Sequence, residues 1–348
     1  MEPVTHFLTG AALARTGFNR KTALATLTMT LAAEAPDLDV VAYVRGSAYG
    51  FIQHRGITHT LLGLPLVAAL VVTAIWMGDA LWQRHRRLRG LSPGLPRRWG
   101  WLYLFACLAV LSHLLLDFTN NYGVRPFYPF SNRWYAWDIV YIIEPLMLAV
   151  LIAALTLPSL FSLVGQEVGA RERGPRGRGA AILALVAIVA LWAVRDFEHR
   201  RALAALNAFE PHGKPTLRVA AFPYMVNPFR WAGVAETEQA YVSLPVDSLR
   251  PEVDPQNEAT TYYKPDSTPT TEAARQTSLG RAYLEWARFP LVESEPLTGP
   301  PGQYLVRLND VRFLYPHERR RPLQAYVLLD GQLRKVEEGF DLPTRTER

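Results

Sequence analysis

The sequence is poor in cysteine. It has one cysteine in 348 residues, Cys107, and this residue lies inside an apolar run. A single cysteine excludes an intrachain disulfide and excludes a zinc site built from several thiolates. The N-terminus also lacks the basic segment that begins a secretory signal peptide, and His6 and Arg15 interrupt its apolar stretch. We therefore expect no cleaved signal peptide.

Long apolar runs are absent after about Arg200 but frequent before it. Four apolar runs are clear: Ile57–Trp82, Trp101–Phe118, Ile139–Val164 and Ala180–Val194. The first three approach or exceed the ~20 residues that a membrane-spanning helix needs, and the fourth is short but can extend to about Phe197. Two shorter helices, Val4–Thr16 and Lys21–Ala33, are predicted to precede them. The sequence thus predicts an all-α polytopic membrane domain of about six helical segments over residues 1–200.

Residues 201–348 have a different pattern. The stretches Tyr304–Phe313 and Ala325–Leu329 alternate apolar and polar side chains or are rich in β-branched and aromatic residues, and Asp330-Gly331 is typical of a hairpin turn. We predict a small β-rich domain outside the membrane, with its β structure beginning at about Phe209.

The net charge of +6 is explained by membrane topology better than by nucleic-acid binding, because no nucleic-acid motif accompanies it. Lys and Arg concentrate in cytoplasmic loops. One group of loops carries most of them: Arg15, Arg20, Lys21, Arg84, Arg86, Arg87, Arg89, Arg97, Arg98, Arg171, Arg173, Arg176 and Arg178. The opposite side has Arg45, Arg55, Arg125 and Arg133. We expect a multi-pass protein of the cell inner (cytoplasmic) membrane, with both termini and the C-terminal domain extracytoplasmic.

Ten ionisable side chains in or beside the apolar segments lie at a similar depth. A charge near the middle of a membrane costs about 2.5–3.5 kcal/mol on insertion scales, so each such group needs a reason. On the predicted topology all of them fall near the outer face: His6, Glu34, Asp37, Asp39, His54, His59, His113, Asp117, Asp138 and Glu144. A shared site explains this segregation.

The local spacings suit a divalent metal. His113 and Asp117 are four residues apart, so they share one face of a helix. Asp37 and Asp39 lie in a turn that follows Pro36, and His54 and His59 flank Gly56. Imidazole and carboxylate together suit Zn²⁺, our first expectation, with Mn²⁺ or Fe²⁺ as alternatives.

Each of these features also has an ordinary structural explanation. Asp37 and Asp39 could terminate a helix, and His113 with Asp117 could be a hydrogen-bonded pair that orders helices. Asp138 could cap the fifth helix. The joint pattern favours the metal site over the separate explanations.

Four motifs together resemble the YdjM/YbcI-like family of membrane-bound proteins described as metal-dependent hydrolases. They are His6, the string Pro36-Asp37-Leu38-Asp39, the string His54-Arg55-Gly56-Ile57-Thr58-His59, and His113-Leu-Leu-Leu-Asp117. The resemblance covers about residues 1–160. It implies a helical membrane domain with a metal held by His6, Asp37, Asp39, His54, His59, His113 and Asp117.

The resemblance and the ligand chemistry together imply hydrolysis of an ester or phosphoester, including a lipid-linked one, by metal-activated water at the outer membrane face. Glu144, or one of the carboxylates not bound to metal, is the candidate general base. Arg55 could bind a substrate anion or could be an interfacial cation. Membrane lipids are the expected partners, and nucleic acid is not. Two alternatives are a metal-ion or proton transporter or channel, and a non-catalytic module whose metal only stabilises the helices.

Overall fold

The computed structural model describes residues 1–88, 96–167, 177–250, 253, 259–297, 302–315 and 321–340. The chain divides into two compact units. The first comprises Met1–Leu38 and Arg55–Val194, and the second comprises Asp39–His54 and Arg195–Arg348. The chain therefore leaves the first unit after Leu38, contributes a short segment to the second, and returns at Arg55.

Helices dominate the first part of the chain. In chain order the helices are α1 (Pro3–Arg15), α2 (Ala25–Glu34), α3 (Ser47–Gln53), α4 (Gly63–Leu88), α5 (Trp99–Thr119), α6 (Pro145–Glu167), α7 (Arg178–Asn207), α8 (Pro269–Arg275) and α9 (Ser278–Trp286). Each of the six helical segments predicted for the membrane domain overlaps one of them, and the helical N-terminal region is confirmed. Among the residues that the structure describes, three helices are long and apolar enough to cross a membrane, over Gly63–Arg86, Trp99–Thr119 and Arg178–Asn207. The number of crossings stays a prediction.

Two helices begin six residues later than predicted, and α2 begins four residues later, at Ala25. Residues Ile57–His59 form a 3₁₀ turn, and α4 begins at Gly63, whose amide donates to Thr60 Oγ1 at 2.8 Å. The fifth predicted segment becomes helical at Pro145, because the amides of Ile139 and Val140 donate instead to the carbonyl of Thr119. Proline is favoured at the first position of a helix, where no amide hydrogen is needed.

Asp138 does not cap α6. It lies well before Pro145, in a backbone conformation with φ of 60°. The expectation that Asp138 caps the fifth helix was therefore wrong.

Close helix packing brings α1 against α2 and α5. A Cβ on Gly10 would lie 2.5 Å from the carbonyl oxygen of Met29 and 2.8 Å from Ala33 Cβ, so only glycine permits this approach. Met29 and Phe105 are fully buried in the apolar core that follows. This contact sets His6, one turn before Gly10, beside the end of α2.

Two antiparallel sheets confirm the β-rich C-terminal region. The first has the order β1 (Arg218–Pro223), β2 (Arg230–Glu236), β3 (Ala240–Asp247) and β4 (Thr260–Tyr263). The second has the order β5 (Pro290–Pro296), β6 (Tyr304–Asp310), β7 (Ala325–Leu329) and β8 (Lys335–Phe340). The two predicted strands correspond to β6 and β7, and Asp330-Gly331 lies in the turn before β8. Helices α8 and α9 were not predicted.

The segment Asp39–His54 is part of this second unit. Phe51 in α3 packs against Tyr283, Trp286 and Phe340, with ring centroids 5.9, 5.5 and 4.9 Å away. Ser47 Oγ accepts the amide hydrogen of Phe340 at 3.1 Å. A segment distant in sequence thus completes the core beside α9 and β8.

Candidate metal centre

Four side chains from three parts of the chain meet in the first unit. Asp37 follows α2, in the 3₁₀ segment Ala35–Arg45, and His59 ends the short turn that precedes α4. His113 and Asp117 project from one face of α5. His59, His113 and Asp117 are fully buried, whereas the side chain of Asp37 is 15% exposed. One donor atom from each residue lies within 4.8 Å of the others, a grouping that could hold a metal ion.

Five of the six distances between the four donor atoms are close to those expected around one tetrahedral ion. Metal–ligand bonds of about 2.0–2.2 Å place tetrahedral donors about 3.3–3.6 Å apart. His59 Nε2 lies 3.1 Å from His113 Nε2 and 3.2 Å from Asp37 Oδ1. His113 Nε2 lies 3.5 Å from Asp37 Oδ1 and 3.4 Å from Asp117 Oδ2, and His59 Nε2 is 3.5 Å from that same Asp117 oxygen. The residues present therefore fit a divalent ion.

The outer hydrogen bonds direct lone pairs into the cluster. His113 Nδ1 lies 2.7 Å from the carbonyl oxygen of Ala33, which can only accept, so Nδ1 carries the hydrogen. In neutral His113 the inward Nε2 is then a lone pair, as in histidine ligands held by an outer carbonyl. His59 Nδ1 lies 3.1 Å from Thr58 Oγ1, which can accept in the same way. The inward lone pair of His113 and the two carboxylates are electrostatically consistent with a cation between them, and His59 can supply a second lone pair in the matching tautomer.

The carboxylates support the same conclusion. Asp37 Oδ1 lies 3.2 Å from His59 Nε2 and 3.5 Å from His113 Nε2, so this carboxylate faces both ring nitrogens of the cluster. Within the described part of the chain, the buried Asp117 Oδ2 has no hydrogen-bond partner. A buried carboxylate oxygen without a donor is costly, and a metal ion would satisfy it.

Arg55 secures the other oxygen of Asp117. Its Nη2 donates to Asp117 Oδ1 at 2.8 Å, and its Nη1 donates to the carbonyl of Gly123 at 2.5 Å. The guanidinium also lies 4.6 Å from the ring centroid of Tyr122. Arg55 has φ of 52°, in the left-handed region that non-glycine residues rarely occupy. Arg55, which was predicted to bind a substrate anion, therefore contacts Asp117, which was predicted to bind metal.

Asn120 contributes to the same support and was missed from the sequence. Its Nδ2 donates to Asp117 Oδ1 at 3.3 Å, while its Oδ1 accepts the amide hydrogen of Tyr122 at 2.9 Å. The available signal was its position three residues after Asp117, where the helix ends. The α-amino group of Met1 also contacts Asp117 Oδ1.

His6 lies against the cluster. It is fully buried, its ring stacks on His113 with centroids 3.7 Å apart, and its Nε2 is 3.5 Å from Asp117 Oδ1. Neither ring nitrogen has a hydrogen-bond partner among the residues that the structure describes. His6 is thus adjacent to the four clustered residues, and its role as a ligand stays a prediction.

Asp39 and His54 form a separate pair in the second unit. His54 Nδ1 lies 3.1 Å from Asp39 Oδ1, and the His54 ring meets Tyr43 edge-on. Their assignment as ligands also stays a prediction. Glu144, the predicted base, is fully buried, and its carbonyl accepts the amide hydrogen of Leu148 in the first turn of α6.

The fold and the cluster together define a class: a helical membrane protein with a buried site suited to a metal ion. The sequence model of the YdjM inner membrane protein family matches residues 1–202, more than half of the chain. The chain therefore belongs to the YdjM family, and the resemblance noted from its motifs is confirmed.

A curated relative is similar to part of the chain. The uncharacterized protein YfhP of Bacillus subtilis (strain 168) is 28% identical over 165 residues, which are 45% of this chain and 46% of that protein. The chain thus spans about half the length of this relative. No solved structure matches the chain.

Proposed function

We propose that this protein is a membrane-bound, metal-dependent hydrolase that cleaves an ester or phosphoester bond at the outer face of the membrane. The observation that carries the proposal is the convergence of Asp37, His59, His113 and Asp117, which place donor atoms within 4.8 Å of one another. Zn²⁺ is the metal we expect there, given two imidazoles and two carboxylates. When bound, it would lower the pKa of a water molecule to about 7 and polarise a substrate oxygen.

The protein side chains supply the remaining requirements. Arg55 orients Asp117 through the 2.8 Å ion pair, and its positive charge could also stabilise a substrate anion. Glu144 is fully buried and is our candidate general base. Glu34 is a second candidate, because it lies three residues before Asp37 and its Oε2 has no hydrogen-bond partner within the described ranges.

An apolar groove favours a lipid-linked substrate. The groove has a volume of about 570 Å³ and lies between α2 and α4, lined along α2 by Leu24, Leu27 and Leu31. One end reaches Ala35 and Leu38, next to Asp37. Because α4 is a candidate membrane span, the occupant that suits this groove is a hydrocarbon chain. A lipid lying there would bring its polar end towards the metal centre.

Chelation provides the test of the reaction. We expect purified protein to hydrolyse an ester, a phosphomonoester or a phosphodiester from a substrate panel that includes lipid forms. A chelator should abolish the activity, and Zn²⁺ should restore it. Glu144→Gln should keep its metal and lose about 10²–10⁴-fold in kcat if Glu144 is the base. Glu34→Gln, measured beside it, distinguishes the two carboxyls.

A non-catalytic role for the metal is the second candidate, and one observation favours it. Structural zinc sites have four protein ligands, whereas catalytic sites keep a position open, and this cluster offers four. If chelation lowers the thermal midpoint while no substrate of the panel is hydrolysed by the metal-loaded protein, the structural role replaces the enzymatic one.

The orientation of the chain is a separate proposal. The distribution of Lys and Arg supports an extracytoplasmic C-terminal region. In a Cys107→Ser background, we expect an impermeant maleimide to label Ser267→Cys in intact cells. Arg84→Cys, in the predicted cytoplasmic loop, should react only after the cells are opened. Labelling in the reverse order would place the C-terminal region in the cytoplasm.

A further inference from the structure

A polar cavity lies at the end of α5 opposite the metal centre. It has a volume of about 620 Å³, within the range of small-molecule sites. Its lining includes Thr16, Gly17, Arg20, Lys21, Arg98 and Arg178. Four of these residues are cations, and no carboxylate is among the described residues that line the cavity. The chemistry of the lining therefore suits an anion.

The cavity adjoins the ends of two candidate membrane spans. Arg98 immediately precedes α5, and Arg178 is the first residue of α7. At 1.5 Å per residue, Arg98 lies about 28 Å along α5 from Asp117, so the two sites are distinct. Lys21 Nζ lies 5.5 Å from the ring centroid of Trp101, a residue type that is frequent at membrane–water interfaces. On the predicted topology, the cavity lies where the headgroup of a membrane lipid would lie.

Backbone contacts hold the cations together. Arg178 Nε donates to the carbonyl of Thr16 at 2.7 Å, and a Cβ on Gly17 would lie 3.6 Å from that nitrogen. The amide of Arg98 donates to Thr22 Oγ1 at 2.8 Å. The turn between α1 and α2 is therefore tied to the starts of α5 and α7. Four positive charges in one place raise the local potential, which attracts an anion.

Helix polarity adds to the positive potential. The first amides of a helix lack intrahelical acceptors, and the N-terminus has a partial positive charge that favours phosphate. The residue that precedes α5, Arg98, makes no capping hydrogen bond with its side chain. The start of α5 thus adds positive potential near the four cations.

We propose that this cavity binds the phosphate of an anionic phospholipid headgroup. Arginine forks match the oxygen geometry of a phosphate, and lysine adds a point charge. A membrane lipid reaches the cavity directly because the cavity adjoins membrane-spanning ends. The proposal is independent of the metal centre and of the hydrolase function.

Lipid titration of the purified full-length protein in neutral detergent tests the site. Phosphatidylglycerol should raise the thermal midpoint, and zwitterionic phosphatidylcholine should not. Arg98→Gln should weaken the apparent dissociation constant for phosphatidylglycerol about fivefold, and Lys21→Gln/Arg98→Gln about 30-fold, since each cation near a membrane surface contributes a similar factor. Arg178 is left unchanged because it also supports Thr16.

Matched controls separate the possible outcomes. Arg84→Gln removes one exposed cation of α4 that does not line the cavity, and it should leave lipid affinity unchanged. Equal affinities for Arg98→Gln and Arg84→Gln would overturn the site. Glycerol phosphate tests the source of the anion. An unchanged thermal midpoint at equal concentration supports a lipid. A midpoint shift equal to that from phosphatidylglycerol would overturn the lipid assignment. The single variants keep the test valid if the double variant does not fold.

Discussion

Replacing His113 by alanine is expected to reduce bound metal from about one ion per chain to less than about a tenth, because it removes one of four donors from a shared shell. His113 Nε2 is within 3.5 Å of donors from Asp37, His59 and Asp117, so its loss affects the whole cluster. Elemental analysis of purified protein measures the change. Asp117→Asn, which keeps side-chain size and removes the charge, should have the same effect. Any metal-dependent hydrolysis should disappear with the ion.

A histidine outside the cluster provides the control for this experiment. His85→Ala changes an exposed residue of α4 that is 6.2 Å from the Trp82 ring, and this variant should keep its metal. Undiminished metal in His113→Ala would contradict a site at the cluster. The same measurement on His6→Ala and His54→Ala decides between a shell of four residues and the wider shell predicted from the sequence.

Replacing Phe51 by alanine is expected to destabilise the second unit by about 3–5 kcal/mol, the usual cost of removing a large aromatic side chain from a core. Phe51 is 6% exposed and contacts three aromatic rings, those of Tyr283, Trp286 and Phe340. The cavity left there would be lined by groups from α9 and β8 that cannot all move inward. Denaturant unfolding followed by near-UV circular dichroism measures the loss.

Phe130→Ala is the matched control, because Phe130 is 86% exposed. A surface substitution of this kind should change stability by no more than about 0.5 kcal/mol. Equal effects of the two substitutions would show that Asp39–His54 does not stabilise the second unit. The result also bears on any fragment that begins near Phe209, since such a fragment lacks Phe51 and the Ser47 hydrogen bond to Phe340.

Local chemistry made much of the site predictable. His113 and Asp117 are four residues apart on one helix, and their shared face follows from helix geometry alone. The pairing of His59 with His113 crosses 54 residues of sequence and could be anticipated only from their similar predicted depth. The contact between Arg55 and Asp117 was not predicted, because it depends on the left-handed backbone at Arg55.

Hydrophobicity, periodicity and ligand chemistry are local properties. The helical membrane region, the β-rich region after it and the residue types available for a metal could therefore be predicted from the sequence alone. Which of those residues come together depends on packing between distant segments, and this is visible only in the folded chain. Asp37 and Asp39 are two residues apart in sequence, yet the boundary between the two units falls after Leu38. That boundary is set by Phe51 and its contacts with α9 and β8, and packing between distant segments is not encoded in the spacing of either segment.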